Sequence, residues 1–262
     1  MPRKGRTTEE NQSVARALKI LNLMADHAEP LGVREVARQL RVAPSIAHRL
    51  VKTLANGGFL EQTSEASRYK IGYKAFQIGN AFVGQKNLHA AVMPELYALA
   101  EQQINAFLGV LRDRSVIYLA TVQSNGPVAI THRPGAQTYL HSTAMGKALL
   151  AEMSDEDVRA LLAHGLLPRL TPQTKTSMNQ LLSDLHDVRR LGYAISDAEN
   201  REGFFSVGAV IRDSSSRAIA VISGAIPKSN LTTRERAKIV RLVVDAARNA
   251  SRKLGAPNAT AH

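Results

Sequence analysis

Apolar residues recur every three or four positions in three segments of the first third of the chain, which is the period of an amphipathic helix. The first segment, "NQSVARALKILNLMADH", places on one face Val14, Ala17, Leu18, Leu21 and Met24. The second, "GVREVARQL", is followed after three residues by "PSIAHRLVKTLANGG", in which Pro44 suits a first helical position and two glycines end the helix. Two short helices joined by a tight turn predict a helix-turn-helix.

The outer face of the third segment carries groups that can read DNA. The next stretch, "FLEQTSEASRYKIG", predicts two short strands around a polar turn, so the whole of residues 13–80 is expected to be a winged helix-turn-helix. Hydroxyl, imidazole and cationic donors are the groups that reach phosphates and base edges in a major groove. The predicted DNA-binding residues are Pro44, Ser45, Ile46, His48, Arg49 and Lys52 on the helix, with Arg68 and Lys70 in the wing.

The remaining two thirds mix strands and helices in an order that predicts an α+β domain with an antiparallel sheet. A linker helix is expected over residues 81–101 and an effector-binding and oligomerisation domain over residues 102–255. Two hairpins are predicted, in "AFLGVLRDRSVIYLATVQ" and "FFSVGAVIRDSSSRAIAVISGAIP", and a long amphipathic helix beginning near Thr232 follows them. Residues 1–12, a basic tail, and residues 256–262 are expected to be disordered.

The charge is uneven along the chain. The formal net charge is +12, and residues 1–88 hold 14 lysines and arginines against 7 aspartates and glutamates. Such an excess favours a polyanionic partner, with double-stranded DNA ahead of an anionic membrane surface. The chain has no cysteine, no His-Glu-x-x-His pattern and no apolar run long enough to span a bilayer. We therefore expect a cytoplasmic protein with no metal, no cofactor and no membrane partner.

Several motifs resemble the IclR family of bacterial transcriptional regulators. The N-terminal segments "SVARALKILNLMAD", "VREVARQLRVAPSIAHRLVKTLANGGFL" and "YKIGYKAFQIG" are similar to its DNA-binding domain, although Ile46 stands where many members have threonine. The C-terminal part is similar to its GAF-like effector domain in "HSTAMGKALLA", in Gly192–Ala194, in Asp197, Glu199 and Gly203, and in Ser223. The resemblance implies a regulator that binds a pseudo-palindromic operator as a homodimer or a dimer of dimers. Its effector would change operator binding or contacts with RNA polymerase, and both activation and repression remain open.

The resemblance also implies where the effector binds. The family's pocket lies between the start of the His-x-x-Ala-x-Gly-Lys helix and the sheet opposite. Carried over to this chain, the effector-binding residues are Ala144, Met145, Ser196, Phe204, Ser206, Ser223 and Ala225. The free amides and positive dipole of a helix start favour a carboxylate, so we expect a small organic acid, with an aromatic acid from a catabolic pathway as the preferred class. Ser206 and Ser223 have a simpler alternative role, which is to satisfy hydrogen bonds of the core.

An enzyme is the main competing hypothesis for "HSTAMGKALLA", because His141, Ser142 and Lys147 lie close together in the sequence. Ser142 lacks the flanking glycines of a nucleophile elbow, and the segment lacks the first glycine and the final serine or threonine of a phosphate-binding loop. We therefore expect no catalytic residues. A DNA-binding protein that senses no ligand is a further alternative.

Overall fold

The computed structural model describes residues 11–63, 67–84, 88–126, 128, 130, 132–163, 167–229 and 231–257, with residues 80–84 described by their backbone only. The chain divides into two compact units, residues 1–86 and 87–262. Each unit has its own apolar core, so each is described by itself.

Three helices form the centre of the first unit: α1 (Gln12–Asp26), α2 (Val33–Leu40) and α3 (Pro44–Asn56). The bounds of α2 and α3 agree with the segments predicted from the apolar period. Pro44 lies in the first turn of α3, where its missing N–H leaves no helical hydrogen bond unmade. The core between the helices includes Ile20, Val36, Ala47 and Val51.

Two expectations for α1 are wrong. Val14 and Leu18, predicted on its buried face, are 55% and 56% exposed, whereas Met24 of the predicted face is buried, as is Ile20. The tail predicted at residues 1–12 also ends earlier. The Asn11 side chain accepts hydrogen bonds from the amides of Ser13 and Val14, and this cap starts the helix at Gln12. Residues 1–10 lie outside the described residues.

The predicted wing strands are present as β2 (Leu60–Gln62) and β3 (Arg68–Ile71), an antiparallel pair in which Leu60 faces Ile71. The polar turn between them falls on residues 64–66, outside the described residues. A strand that was not predicted, β1 (Leu31–Gly32), pairs with the other edge of β3. It contains two residues, too few for an alternating pattern to be visible in the sequence.

In place of one linker helix over residues 81–101, the structure has α4 (Tyr73–Gly84) and α5 (Leu88–Glu101). The helix α4 runs across the boundary expected at residue 80, although Gly79 and Asn80 are poor helix formers. Residues 85–87 lie outside the described part of the chain. Leu88, Val92, Leu96 and Leu99 place α5 in the core of the second unit, where it packs on the last helix.

The second unit is built on an antiparallel sheet of six described strands, in the order β6–β5–β4–β9–β8–β7. The two predicted hairpins are β4 (Asn105–Arg112) with β5 (Ser115–Val122), and β8 (Phe204–Arg212) with β9 (Ala218–Pro227). The edge strands β6 (Gln137–Thr138) and β7 (Ala194–Asp197) were not predicted. The α+β class with an antiparallel sheet is confirmed.

Helices cover both faces of this sheet. On one face lie α5 and α9 (Thr233–Lys253), which starts at a capping box between Thr232 and Glu235. On the other face lie α6 (Ala144–Leu150), α7 (Asp155–Leu162) and α8 (Met178–Leu191). Neighbouring strand residues divide between the two cores, as Leu108 and Phe107 do, because successive side chains of a strand point to opposite faces. The tail expected from residue 256 follows α9; Ala256 still donates to the carbonyl of Ser251, and residues 258–262 are not described.

None of the helices in the described part of the chain is long and apolar enough to cross a membrane. Within the same residues, no group of three or more histidine and acidic side chains is arranged to hold a metal ion.

Candidate functional site

The outer face of α3 presents most of the predicted DNA-binding side chains to solvent. Pro44, Ser45, His48, Arg49 and Lys52 are exposed, and Ile46 is half-buried at the start of the helix. Ala47 and Val51 on the opposite face are fully buried, which fixes how the helix is turned. None of the side chains of His48, Arg49 and Lys52 has an ion pair with another described residue, so all three are available to a partner.

The two predicted wing cations are less free than those of α3. Arg68 Nη1 donates to the carbonyl of Pro30 at 2.9 Å and lies 3.4 Å from Glu35 Oε2, which ties the wing to the start of α2. Glu35 also accepts the amide of Gly32, and this hydrogen bond, with the charge of Arg68, lowers the pKa of the Glu35 carboxyl. Lys70 lies 3.9 Å from Glu61 on the neighbouring strand. Arg68 therefore positions the wing, while Lys70 keeps most of its surface in solvent.

A cavity of about 60 Å³ lies between the start of α6 and the sheet. The seven predicted effector-binding residues all line it: Ala144, Met145, Ser196, Phe204, Ser206, Ser223 and Ala225. Three of them, Ser196, Ser206 and Ala225, form one row across β7, β8 and β9. Sequence-distant residues are thus brought to one wall by strand pairing.

Seven further residues line the same cavity and were not predicted: Phe107, Tyr118, Ile130, His132, Thr143, Asn200 and Arg201. Phe107 and Tyr118 lie on β4 and β5, and their large side chains in strands could have marked a wall facing α6. His132, Asn200 and Arg201 lie in irregular segments with no periodic signal.

Two glycines allow α6 to pack closely against its neighbours, and a threonine caps its first turn. A Cβ on Gly146 would lie 2.3 Å from the carbonyl oxygen of Leu140, and one on Gly208 of β8 would lie 2.6 Å from that of Ala144. Thr143 Oγ1 accepts the amide of Gly146 at 3.0 Å. The expectation of free amides throughout Ala144–Gly146 is therefore wrong for Gly146, while no described residue accepts the amides of Ala144 and Met145.

The hydroxyl hydrogens along the cavity are already used within the protein. Ser196 donates to the carbonyl of Ser142 at 2.6 Å, Ser223 to that of Val207 at 2.7 Å, and Ser206 more weakly to that of Ser196 at 3.4 Å. The core role considered for Ser206 and Ser223 thus applies to both. Their oxygen lone pairs remain, so in this state the serines can accept a hydrogen bond from a ligand but do not donate one.

Aromatic rings form the apolar part of the wall. The rings of Tyr118 and His132 stack with centroids 4.3 Å apart and planes 8° apart, and Phe107 meets both edge-on. Burial raises the pKa of Tyr118 to about 12, so its phenol stays neutral. Burial also lowers the pKa of His132, and the nearby charge of Arg201 acts in the same direction. The stacked pair is therefore an uncharged aromatic part of the wall near neutral pH.

A buried ion-pair cluster holds α6 behind the cavity. Lys147 is 2% exposed and donates to Glu199 Oε1 at 2.7 Å and to Asp184 Oδ2 at 3.0 Å. Burial opposes ionisation of Asp184, but Lys147 and Lys175 outweigh it and hold its pKa below the ordinary value. Lys147 thus joins α6 to α8 and to the loop that carries Asn200 and Arg201.

His141 and Ser142 are not arranged for catalysis by a serine–histidine pair. They lie in a turn before α6. His141 Nε2 is 3.1 Å from the carbonyl oxygen of Pro168, and Ser142 donates to Asn200 Oδ1 at 3.0 Å. Burial lowers the pKa of His141. Both side chains hold loops around α6.

The order of the two units agrees with known protein families. Residues 13–64 match the IclR helix-turn-helix domain, and residues 81–252 match the C-terminal domain of the bacterial transcriptional regulator IclR. The chain belongs to the IclR family. Members of this family are transcriptional regulators with a helix-turn-helix DNA-binding domain, and the matched relatives are named as regulators and repressors rather than enzymes.

Similarity to individual IclR-family proteins extends along almost the whole chain. The regulator BhcR of Paracoccus denitrificans is 32% identical over 92% of this chain and 86% of its own length, and the repressor IclR of Escherichia coli is 31% identical over 95% and 92%. Among solved structures, an IclR regulator from Alicyclobacillus acidocaldarius has a TM-score of 0.79 at 26% identity, covering 93% of this chain and 98% of its own. An IclR homologue from Microbacterium hydrocarbonoxydans, solved with 4-hydroxybenzoate, has a TM-score of 0.83 at 21% identity, covering 93% and 99%.

Proposed function

We propose that this protein is a ligand-responsive transcriptional regulator that reads its operator with α3 and senses a small organic acid in the cavity beside α6. In this proposal α3 enters the major groove, His48 and Arg49 approach base edges, and Ser45 and Lys52 contact phosphates. Lys70 contacts the DNA backbone from the wing, while Arg68 holds the wing in position. The free charge on the outer face of α3 supports this assignment.

A homodimer, or a dimer of dimers, would place two copies of α3 on a pseudo-palindromic operator. Exposed apolar side chains in the first unit support an interface there: Val14 and Leu18 on α1, and Tyr73, Phe76 and Ile78 on α4 are each more than half exposed. Light scattering on the purified protein tests the proposal, and a monomer both with and without DNA would contradict it.

The sensing role rests on one observation: all seven expected effector-binding residues surround a single cavity. The cavity has room for roughly four water-sized groups, so a ligand with more than a few non-hydrogen atoms needs lining side chains to move. The neutral aromatic rings of Tyr118 and His132 favour a ligand with an apolar or aromatic body. The 4-hydroxybenzoate held by the Microbacterium hydrocarbonoxydans homologue supports an aromatic acid as the preferred class, with aromatic catabolism as its source.

The effector would act by binding two conformations of the protein with different affinity, which changes operator binding or contacts with RNA polymerase. We propose that α5 carries the change, because it packs on α9 and β4 in the core that underlies the cavity sheet. The opposite face of the same sheet forms the cavity wall.

The proposal is tested by screening the full chain against small carboxylic acids by thermal shift. Acids that raise Tm are then added to a fluorescence-anisotropy titration with an operator selected from a random DNA pool. We expect at least one acid to raise Tm and to change operator affinity. A DNA-binding protein without an effector would give operator binding that no acid changes, and an enzyme would give turnover that Ser142→Ala abolishes.

A further inference from the structure

The charges on the cavity wall are strongly asymmetric. Among its described lining residues, Arg201 is the one side chain with a permanent charge, and none is a carboxylate. The nearest acidic residue along the chain on the N-terminal side, Glu199, is buried and bound to Lys147. Among the lining residues an anion therefore meets one permanent cation and no carboxylate, and the exposed Glu202, which follows Arg201 in the chain, does not line the cavity.

Several hydroxyl groups on the wall are poor partners for an anion, whereas the amides of Ala144 and Met145 have no described acceptor. The hydroxyls of Ser196 and Ser223 donate to backbone carbonyls, and that of Thr143 donates to Tyr139 at 2.6 Å. They present oxygen lone pairs, which repel a carboxylate. A guanidinium carries five N–H donors whose planar arrangement matches the two oxygens of a carboxylate.

Arg201 has no carboxylate partner of its own among the described residues. Its guanidinium carbon lies 5.3 Å from the centroid of the Phe204 ring, a cation–π contact on the cavity wall. The side chain is exposed, so it can turn without breaking an ion pair. The position of its backbone, in contrast, is constrained by the residues before it.

The preceding three residues are fixed by hydrogen bonds. Thr171 donates to the carbonyl of Ala198 at 2.7 Å, and Thr174 donates to that of Glu199 at 2.6 Å. The side chain of Asn200 accepts from Ser142 at 3.0 Å. A movable cation thus stands at the end of an anchored stretch, at the edge of the cavity.

We infer that Arg201 is the residue that receives the carboxylate of the effector and sets the preference of the cavity for acids over neutral molecules. This inference rests on the proposed sensing function. The carboxylate pairs with the guanidinium, while the planar body of the ligand lies against the rings of Tyr118 and His132. An exposed arginine that only stacks on Phe204 would make no difference between an acid and its amide.

The test measures binding to the full chain by isothermal titration calorimetry. The probes are benzoate, 4-hydroxybenzoate, phenylacetate and pyruvate, each beside its neutral primary amide. The variants are Arg201→Gln and, as the matched control, Arg133→Gln, since Arg133 is exposed in the same unit and does not line the cavity.

We expect the wild type to bind at least one acid about tenfold or more tightly than its amide, in the range of a charge-assisted pair. Arg201→Gln should remove most of that preference and leave binding of the amide unchanged, while Arg133→Gln should behave as the wild type. Equal acid binding by the wild type and Arg201→Gln would overturn the inference and leave the sensing function standing. So would an equal loss for acid and amide, which indicates a structural role. Failure of every acid to bind the wild type would overturn the sensing function and, with it, the inference.

Discussion

The outer face of α3 and the wall of the cavity use the same kinds of polar side chain in opposite ways. Lys52 is exposed and has no ion pair with a described residue, whereas Lys147 is 2% exposed and bound to two carboxylates. On α3 the polar side chains are exposed and have no ion pairs with described residues, so the fold depends little on them. Around the cavity many polar groups are bound to other parts of the protein, so changes there affect the fold as well as the proposed ligand site.

The largest difference between the two regions is expected when each lysine is replaced by methionine. Lys147→Met leaves Glu199 buried without its cation, and we expect unfolding free energy to fall by about 3–5 kcal/mol. Lys52→Met, the matched exposed change, should stay within about 0.5 kcal/mol. Urea denaturation followed by circular dichroism measures both. Adding Glu199→Gln to Lys147→Met should recover part of the loss, and equal stabilities of the two single variants would contradict the buried ion pair.

A second contrast uses two glycines in helices. Gly146→Ala places a methyl group against the backbone carbonyl of Leu140, and overpacking of this kind costs about 2–3 kcal/mol. Gly79 in α4 has nothing within 4 Å of an added Cβ. Gly79→Ala should therefore stabilise the protein by about 0.5–1 kcal/mol. Thermal unfolding separates the two, and tolerance of Gly146→Ala would show that α6 is less closely seated than described.

A substitution on the outer face of α3 is expected to weaken DNA binding without lowering the stability of the protein. Arg49→Ala should weaken specific operator binding by about 1–3 kcal/mol. Its Tm should be that of the wild type, because the side chain has no ion pair with another described residue. Fluorescence anisotropy with specific and scrambled duplexes measures the effect, and Arg248→Ala in the second unit serves as the control. Unchanged operator affinity would contradict the assignment of α3.

The smallest effect concerns pH. Because burial lowers the pKa of His132 and of His141, the folded protein binds these protons less tightly than the unfolded chain. Their contribution to stability is complete above the ordinary value of 6.5 and is lost as the pH falls below it. We expect Tm to decrease from about pH 7 to about pH 5.5, and to decrease less in His132→Phe. Identical profiles for the two proteins would contradict this account.

The two regions also differ in how well the sequence predicts them. The residues of α3 are neighbours along one helix, so the apolar period alone identifies the buried Ala47 and Val51 and leaves Arg49 and Lys52 outside. The same reasoning failed for Val14 and Leu18. The spacing of apolar residues identifies an apolar face of a helix, but it does not show which part of that face packs against another helix or strand.

The cavity depends on contacts between distant segments. Resemblance to the family supplied seven lining residues, but no local pattern pointed to His132 or Arg201, which lie in loops. The partners of Lys147, at positions 184 and 199, are set by the packing of α6 against α8 and the following loop. The strands β1 and β6 have two residues each, too few to show alternation, and the four-residue β7 was also missed.

The anchoring of Ala198–Asn200 has a consequence for how such a protein can change over evolutionary time. Two of its three hydrogen bonds end on main-chain carbonyls, which every amino acid possesses, so these two bonds do not depend on the side chains at 198 and 199. Position 201 takes no part in the anchoring. A lineage could therefore exchange the residue there, and with it the molecule that the cavity accepts, in a single mutational step that leaves the scaffold intact.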